Sequence, residues 1–282
     1  MIDLYRQPIE QPEMADTPAY KSHTRRIERL IGQFAPISLS EMKQVALLDR
    51  TDTKYVFGIS QLDTILQRIM DKYHVLCIDG SHRLHHYQTL YLDTNDFALY
   101  HQHHNGRRSR YKVRVREYTD SDLAFWEVKR KTNQNHTIKS RYQMPGLEIE
   151  MDEPVDRFVA THMPVDVDQL EPKMWNKFQR ITLVSDRYPE RLTLDINLTF
   201  GWGDAVVTLP GVVIAEVKQP HFSQRSDFIQ EARKLGIRPY RFSKYCAGIY
   251  MLYDNVKINN FKSRIQLVDA IMQKESGHEY LR

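Results

Sequence analysis

The amino-acid sequence predicts an α+β fold in which an eight-stranded antiparallel β-barrel is surrounded by helices. Several short segments alternate apolar and polar residues at every second position, as strands with two different faces do. Short links join consecutive segments of this kind, and such links favour antiparallel neighbours over parallel strands connected by helices. The alternation alone leaves an open sheet as the alternative, whose charged face would lie in water instead of in a lumen.

Periodicity, caps and turn residues predict the elements in chain order. Residues 1–25 are polar and contain three prolines, so we expect a flexible segment ahead of a single domain over 26–282. A short capped helix over 38–49 precedes a strand over 50–57, and an amphipathic helix follows over 60–73. Further strands are predicted over 87–93, 110–118, 124–131, 138–150, 180–186, 191–200 and 212–219. Further helices are predicted over 154–163, 166–179, 223–235, 241–252 and 262–274.

Composition narrows the class of protein. The chain has 282 residues, 41% of them hydrophobic, with a net charge of +4 and a pI near 8.9. A nucleic-acid binder is expected to be more basic, so no nucleic-acid partner is predicted. Cys77 and Cys246 are the only cysteines, and no secretory context supports a disulfide between them. Because no segment is apolar enough for a signal peptide or a membrane span, we expect a cytoplasmic protein and leave a membrane protein partner open.

Four cations occupy alternate positions of one predicted strand, namely Arg110, Lys112, Arg114 and Arg116. Alternate side chains share a face, and like charges on one face repel each other unless an anion binds there. The planar guanidinium group matches phosphate oxygens, and lysine supplies a point charge. A solvated outer face is the alternative. The aromatic residues of the basic strands are expected on the opposite parity, which also argues against nucleic acid.

Two further strands place a carboxylate beside cations. Glu127, Lys129 and Lys131 share one face of the next predicted strand, and Glu216 and Lys218 repeat the same spacing. A carboxylate among cations can hold a divalent metal that bridges phosphate oxygens, or it can form a cross-strand salt bridge of little strength. Glu216 is the best candidate for a metal ligand, since a lone carboxylate in an apolar strand needs a partner.

Charged residues outside these strands complete the candidate set. Arg180 and Arg191 are grouped with Asp195, and Lys244 stands near the start of an apolar helix, where the helix dipole disfavours a cation. The histidines around His101–His104 match no closed zinc site, and this run is interpreted as a surface loop. No phosphate-binding glycine loop or nucleophile elbow occurs.

Seven short motifs, in this order, resemble those of one known family. They are Arg50-x-Asp52-x-Lys54-Tyr55, Tyr91-Leu92-Asp93-Thr94, Lys112-Val113-Arg114-Val115-Arg116, Glu127-Val128-Lys129, Leu194-Asp195, Glu216-Val217-Lys218 and Phe242-Ser243-Lys244-Tyr245. Over residues 38–255 the chain is similar to the VTC-type polyphosphate polymerase domain of the triphosphate tunnel metalloenzyme (CYTH-like) superfamily. The Glu-x-Glu-x-Lys signature of other tunnel enzymes is absent from the first strand, which favours the polymerase-like branch.

The resemblance implies an eight-stranded antiparallel tunnel, lined with basic residues, that holds a triphosphate and Mn²⁺ or Mg²⁺. It implies transfer of the γ-phosphate of ATP to a growing polyphosphate chain. Hydrolysis of tripolyphosphate or nucleoside triphosphate is one alternative, and a non-catalytic polyphosphate-binding module is another. The implied catalytic phosphate contacts are Lys54, Arg114, Arg116, Lys129, Arg180, Arg191 and Lys244. Weaker substrate contacts are Lys112, Lys131, Lys139, Arg141 and Lys218. The implied metal ligand is Glu216, with Glu127 and Asp195 as alternatives.

Overall fold

The computed structural model describes residues 18–44, 50–121, 123–134, 136–144, 153–165 and 167–279. Its helices are α1 (Pro18–Ile31), α2 (Leu39–Gln44), α3 (Ile59–Ile69), α4 (Ala98–His104), α5 (Glu153–His162), α6 (Asp227–Lys234), α7 (Lys244–Leu252) and α8 (Lys262–Glu279). Its strands are β1 (Ala35–Ile37), β2 (Thr51–Gly58), β3 (Tyr73–Leu76), β4 (His85–Asp93), β5 (Arg110–Tyr118), β6 (Leu123–Lys131), β7 (Thr137–Met144), β8 (Glu171–Ser185), β9 (Arg191–Trp202), β10 (Ala205–Leu209) and β11 (Val212–Gln219).

The strands of the described residues form one large sheet. Its main path runs in the order β2-β11-β9-β8-β4-β5-β6-β7, and every neighbouring pair along this path is antiparallel. Strands β1, β3 and β10 lie off the path, and β1 pairs with β3 in parallel. The predicted α+β class with an antiparallel sheet is confirmed. No ladder of hydrogen bonds joins β2 to β7 within the described residues.

The sheet curves strongly. The evidence is that three consecutive residues, the last two before α7 and the first of α7, contact three separate strands. Lys54 Nζ on β2 donates a hydrogen bond to the carbonyl oxygen of Phe242 at 3.2 Å. Lys112 Nζ on β5 donates to Ser243 Oγ at 2.9 Å, and Lys244 contacts the carboxylate of Asp195 on β9. In a flat sheet, β2 and β5 would lie about 24 Å apart in this strand order. The two strands therefore face each other around the start of α7.

Apolar side chains on the outer face of the sheet pack against helices. Val113 and Trp126 lie in one cluster with Val159 of α5. Leu62 of α3 lies in another cluster with Leu194 of β9. These residues occupy the strand parity opposite to the charged one, so the charged parity faces the inside of the curve.

Helix α7 packs at one end of the inner face. Its Tyr245 and Ile249 belong to the cluster that contains Met174, Phe200 and Ile214, which lie on that face. The inner face therefore has one end covered by an apolar helix. Within the described residues, no helix is long and apolar enough to cross a membrane.

The predicted helix over 166–179 is wrong. A short 3₁₀ turn at Val167–Gln169 is followed by β8, which begins at Glu171 and includes the predicted strand over 180–186. Strand β8 carries buried apolar rings on both faces, with Phe178 on the inner face and Trp175 on the outer face. A strand that is buried on both faces loses the alternation that would distinguish it from a helix.

Other elements differ in extent from the sequence prediction. Residues 18–25, expected in a flexible segment, lie in α1, and β1, β3 and β10 were not predicted. The histidine run is not a loop but helix α4, with His104 buried. The buried Asp93 carboxylate accepts hydrogen bonds from the N–H groups of Leu99 and Tyr100 at the start of α4. Residues 1–17, 45–49 and 145–150, which include parts of predicted elements, lie outside the described residues.

Candidate functional site

The registers of seven strands place the charged residues of the sequence prediction on one surface. We name this surface the concave face. It carries Asp52 and Lys54 of β2, Arg110, Lys112, Arg114 and Arg116 of β5, Glu127, Lys129 and Lys131 of β6, Lys139 and Arg141 of β7, Arg180 of β8, Arg191, Thr193 and Asp195 of β9, and Glu216 and Lys218 of β11. Lys244 of α7 reaches this face at Asp195. Cations outnumber carboxylates among these residues, so the face as a whole is electropositive.

Glu127 is the carboxylate at the centre of the β5–β7 side. It is 0% exposed, and its Oε2 accepts a 2.6 Å hydrogen bond from Arg114 Nε. Lys139 contacts its other oxygen. Burial alone would raise the pKa of Glu127, but the charges of Arg114 and Arg116 hold it well below its ordinary value. Both oxygens are thus engaged by cations, and Glu127 serves to position Arg114.

Asp195 is engaged in the same way on the β8–β9 side. Arg180 donates two hydrogen bonds to its two oxygens, from Nε at 2.5 Å and from Nη2 at 2.8 Å, and Lys244 also contacts it. Although burial opposes ionisation, the Arg180 and Lys244 charges hold the pKa of Asp195 well below its ordinary value. Burial lowers the pKa of Lys244 to about 7, even with Asp195 beside it. Lys244 is therefore a cation poised to lose its proton near neutral pH.

Glu216 lies between two lysines. It contacts Lys218 on the same strand, and its Oε1 lies 3.6 Å from Lys54 Nζ on β2. Burial would raise the pKa of Glu216, but the charges of Lys54 and Lys218 hold it well below its ordinary value. The hydroxyl oxygen of Thr193, the residue opposite Glu216 on β9, is buried and has no hydrogen-bond partner among the described residues. A carboxylate and an unsatisfied hydroxyl are oxygen ligands of the kind that Mg²⁺ and Mn²⁺ accept.

The described residues contain no group of three or more histidine, cysteine, aspartate or glutamate side chains that could hold a metal ion. Mg²⁺ and related ions commonly take one or two protein carboxylates together with substrate phosphates and water. All three carboxylates contact cations, but Glu127 and Asp195 are bonded by arginines, whereas Glu216 contacts only lysines and stands opposite the unpartnered Thr193 hydroxyl. The ligands around Glu216 therefore fit a metal that arrives with its substrate.

Seven cations of the concave face form no ion pair with any carboxylate of the described residues: Arg110, Lys112, Arg116, Lys129, Lys131, Arg141 and Arg191. Three of them, Arg116, Lys129 and Arg191, belong to the implied catalytic phosphate contacts. Arg116 is 7% exposed, and its Nε donates to Thr89 Oγ1 at 3.3 Å. The Arg114 charge, followed by burial, lowers the pKa of Lys129 well below its ordinary value. Burial, followed by the charges of Arg50 and Arg180, lowers that of Arg191. Burying unpaired charge is unfavourable, so these groups form a site that an anion would stabilise.

The weaker candidates differ in burial and in their partners. Burial lowers the pKa of Lys112, which bonds to Ser243, to about 8. Burial, followed by the charges of Arg110 and Arg241, lowers the pKa of Lys131. Arg141 is exposed, and Lys218 is buried beside Glu216. Residues Arg110, Lys131 and Arg241 thus define a basic edge near the start of α7.

Aromatic residues of the concave face were not predicted. Tyr118 and Phe125 continue the charged parity of β5 and β6, contrary to the expectation that aromatic residues of these strands would lie on the opposite parity. Arg116 lies 5.5 Å from the ring centroid of Tyr87 and 5.8 Å from that of Phe178, distances at which cation–π attraction acts. The signal was present in the sequence, since Tyr118 stands two positions after Arg116.

Comparison with known proteins places this arrangement in a family. The family model described as the VTC domain matches residues 49–253. No curated protein matches the chain. Similar solved structures include a Bacillus halodurans protein described as an adenylate cyclase candidate, with 13% identity, a TM-score of 0.46 and coverage of 76% of this chain and 97% of that one.

A Hippeastrum protein described as having a dominant triphosphatase activity has 12% identity, a TM-score of 0.47 and coverage of 74% of this chain and 98% of that one. A conserved protein from Pyrococcus furiosus has 11% identity, a TM-score of 0.40 and coverage of 70% of this chain and 99% of that one. The family match covers most of the sheet and the start of α7, and it confirms the resemblance inferred from the motifs. This chain belongs to the VTC domain family.

Proposed function

We propose that the chain is a metal-dependent polyphosphate polymerase that transfers the γ-phosphate of ATP to a growing polyphosphate chain. The observation that carries the proposal is the set of seven concave-face cations that form no ion pair with a carboxylate of the described residues, among them Arg116, Lys129 and Arg191. A triphosphate supplies several negative charges at short intervals, which matches cations spread over several strands. Membership of the VTC domain family supports a phosphate-handling activity.

Phosphoryl transfer depends on positioning and charge neutralisation more than on a protein nucleophile. In this proposal, a terminal oxygen of the polyphosphate chain attacks the γ-phosphorus of ATP. The bond to the oxygen that bridges the β- and γ-phosphorus atoms breaks, and ADP leaves with that oxygen. The attacking phosphate is already an anion, so the protein need not supply a base. The proposed phosphate contacts are Lys54, Arg114, Arg116, Lys129, Arg180, Arg191 and Lys244.

Mn²⁺ or Mg²⁺ would neutralise charge on the transferred phosphoryl group and the leaving ADP. Glu216 and the hydroxyl of Thr193 are the proposed protein ligands, because they are on neighbouring strand positions and the hydroxyl has no hydrogen-bond partner among the described residues. Lys218 now contacts Glu216 and would turn towards phosphate when the carboxylate binds a metal. The remaining contacts of the set, Lys112, Lys131, Lys139 and Arg141, would hold the polyphosphate chain.

The finer architecture also belongs to this proposal. We propose that the sheet path closes into an eight-stranded tunnel, with β2 and β7 as the strands that meet, in a single domain over 26–282. The contacts of Phe242–Lys244 with β2, β5 and β9 support the required curvature. A tunnel would shield the transferred phosphoryl group from water, which favours polymerisation over hydrolysis. We place the reaction in the cytoplasm, where ATP is available.

Incubation with ATP and Mn²⁺, followed by gel analysis of the products, tests the function. Long-chain polyphosphate is the expected product. Release of inorganic phosphate without polymer would identify a hydrolase, and triphosphate binding without turnover would identify a non-catalytic module. Arg116→Gln is expected to abolish most product, whereas Arg157→Gln, which changes an exposed arginine on α5, should leave the yield unchanged.

A further inference from the structure

Aromatic rings gather at the end of the concave face that lies away from α7. Phe125 of β6 stands opposite Arg116 in the register, and Tyr118 of β5 stands opposite Tyr87. The ring centroids of Tyr118 and Phe125 are 5.8 Å apart in an edge-to-face arrangement. Those of Tyr87 and Tyr118 are 5.0 Å apart. The three rings therefore form one continuous aromatic cluster beside a phosphate-binding candidate.

Phe125 and Tyr118 are not part of an apolar core cluster, whereas Tyr87 packs against one and stacks on the buried ring of Phe178. Phe125, Tyr118 and Tyr87 are each half-buried, whereas core rings such as Phe57 and Phe228 are 2% and 0% exposed. The guanidinium carbon of the exposed Arg141 lies 5.3 Å from the Phe125 ring centroid. Aromatic surface that remains open beside cations can accept a flat ligand ring.

The opposite end of the same face has a different chemistry. There α7 covers the face, and the ring centroids of Tyr245 and Tyr91 are 5.2 Å apart. The edge that remains beside it is formed by Arg110, Lys131 and Arg241. Burial, followed by the charges of Arg110 and Arg241, lowers the pKa of Lys131. Along β5 the inner side chains thus change from an aromatic ring at Tyr118 to cations down to Arg110, a span of about 26 Å.

The groups of a nucleoside triphosphate match this order, because a flat base lies at one end of the molecule and a chain of anionic phosphates at the other. We propose that Phe125 and Tyr118 form a stacking subsite for the base of the nucleotide, and that the phosphates point from Arg116 towards Arg110. This assignment rests on the proposed function, because it requires a triphosphate on the concave face.

The subsite predicts a particular form of selectivity. Stacking uses the face of a base and not its hydrogen-bonding edge, so it distinguishes large rings from small ones and not adenine from guanine. ATP and GTP should bind with similar affinity, and both should bind more tightly than CTP and UTP. Tripolyphosphate, which has no base, reports on the cations alone.

Calorimetric titration of the full chain with these five ligands tests the proposal, with Phe125→Leu as the variant. Phe222→Leu is the matched control, because Phe222 is an exposed aromatic in the connection between β11 and α6. Wild-type protein and Phe222→Leu should bind ATP and GTP about fivefold or more tightly than CTP and UTP. Phe125→Leu should lose most of this preference and bind tripolyphosphate as the wild type does.

Equal affinity of the wild type for all four nucleotides would overturn the subsite, as would an equal loss of ATP and tripolyphosphate binding in Phe125→Leu. If Phe125→Leu fails to unfold cooperatively, the wild-type ranking of purine against pyrimidine nucleotides decides the question. Failure of wild-type protein to bind tripolyphosphate would instead contradict the proposed function itself, so the two failures are distinguishable.

Discussion

The guanidinium group of Arg114 and the carboxylate of Glu127 lie directly opposite each other on β5 and β6, joined by a 2.6 Å hydrogen bond. Lys139 on β7 contacts the other oxygen of the same carboxylate. One buried anion therefore fixes cations on the two strands that flank its own. This arrangement separates the residues that organise the site from those that remain available to a ligand.

Replacement of Glu127 by glutamine is expected to lower the free energy of unfolding by about 3 kcal/mol, because Arg114 and Lys139 lose a buried partner. Urea denaturation at neutral pH measures this loss. Glu153→Gln, which breaks an exposed pair with Arg157 on α5, is the control and should leave stability unchanged. A Glu127→Gln protein as stable as the control would contradict the proposed structural role of the pair.

Arg116→Gln should behave in the opposite way. Loss of the Arg116 guanidinium group is expected to weaken tripolyphosphate binding by about 1.5–3 kcal/mol, the range for a hydrogen bond to a charged group. Stability should stay the same or rise, since repulsion from Arg114 in the empty face is relieved. Calorimetric binding and thermal denaturation together measure both quantities. A large fall in melting temperature with unchanged affinity would assign Arg116 to the scaffold.

Anion binding should take up protons near neutral pH. In the ligand-free protein, burial lowers the pKa values of Lys244 and Lys112 to about 7 and about 8, so part of each population is neutral. A bound anion favours the charged forms, and affinity should therefore fall as pH rises through this range. Titrations in buffers of different ionisation enthalpy measure the uptake, after correction for the ligand's own protons. Lys244→Arg should reduce the uptake, and equal uptake in both proteins would exclude Lys244 as a source.

The lowered pKa of Lys244 also determines how the free energy of unfolding should change with pH. The pKa of Lys244 is about 7 in the folded protein and 10.5 ordinarily, so between these values the unfolded chain binds more protons. Stability of the ligand-free protein should consequently rise with pH across this window, as far as this group determines it. Thermal denaturation from pH 6.5 to pH 9 is the measurement, with Lys244→Met as the variant in which this part of the slope disappears. A wild-type slope that persists unchanged in the variant would refute the assignment.

Glu216→Gln keeps the shape of the side chain and removes its charge. We expect it to abolish most Mn²⁺-dependent turnover and to leave metal-free tripolyphosphate binding intact or tighter, because one repulsive anion is gone. Activity and metal-free calorimetry are measured on the same preparation. Full activity at saturating Mn²⁺ would transfer the proposed ligand role to Glu127 or Asp195.

The sequence predicts which face of a strand a residue occupies better than it predicts the residue's ion-pair partner. The period of two in β5 was enough to place Arg114 and Arg116 on one face, because a strand leaves no other choice once its register is set. The pairing of Arg180 with Asp195 could not be predicted in detail, since it depends on the antiparallel register of β8 and β9. The wrong helix over 166–179 has a different cause, because burial of β8 on both faces removes the alternation that marks a strand.

The contacts of Phe242–Lys244 with β2, β5 and β9 have a consequence for folding. These three residues come late in the chain, yet they tie together strands that begin at Thr51, Arg110 and Arg191. The repelling cations of the inner face cannot be held in place until nearly all of the sheet has been synthesised and α7 has docked. Contacts between such distant segments slow folding. A polyanion present during synthesis would screen that repulsion early, so polyphosphate or ATP should speed the refolding of this protein as well as occupy its site.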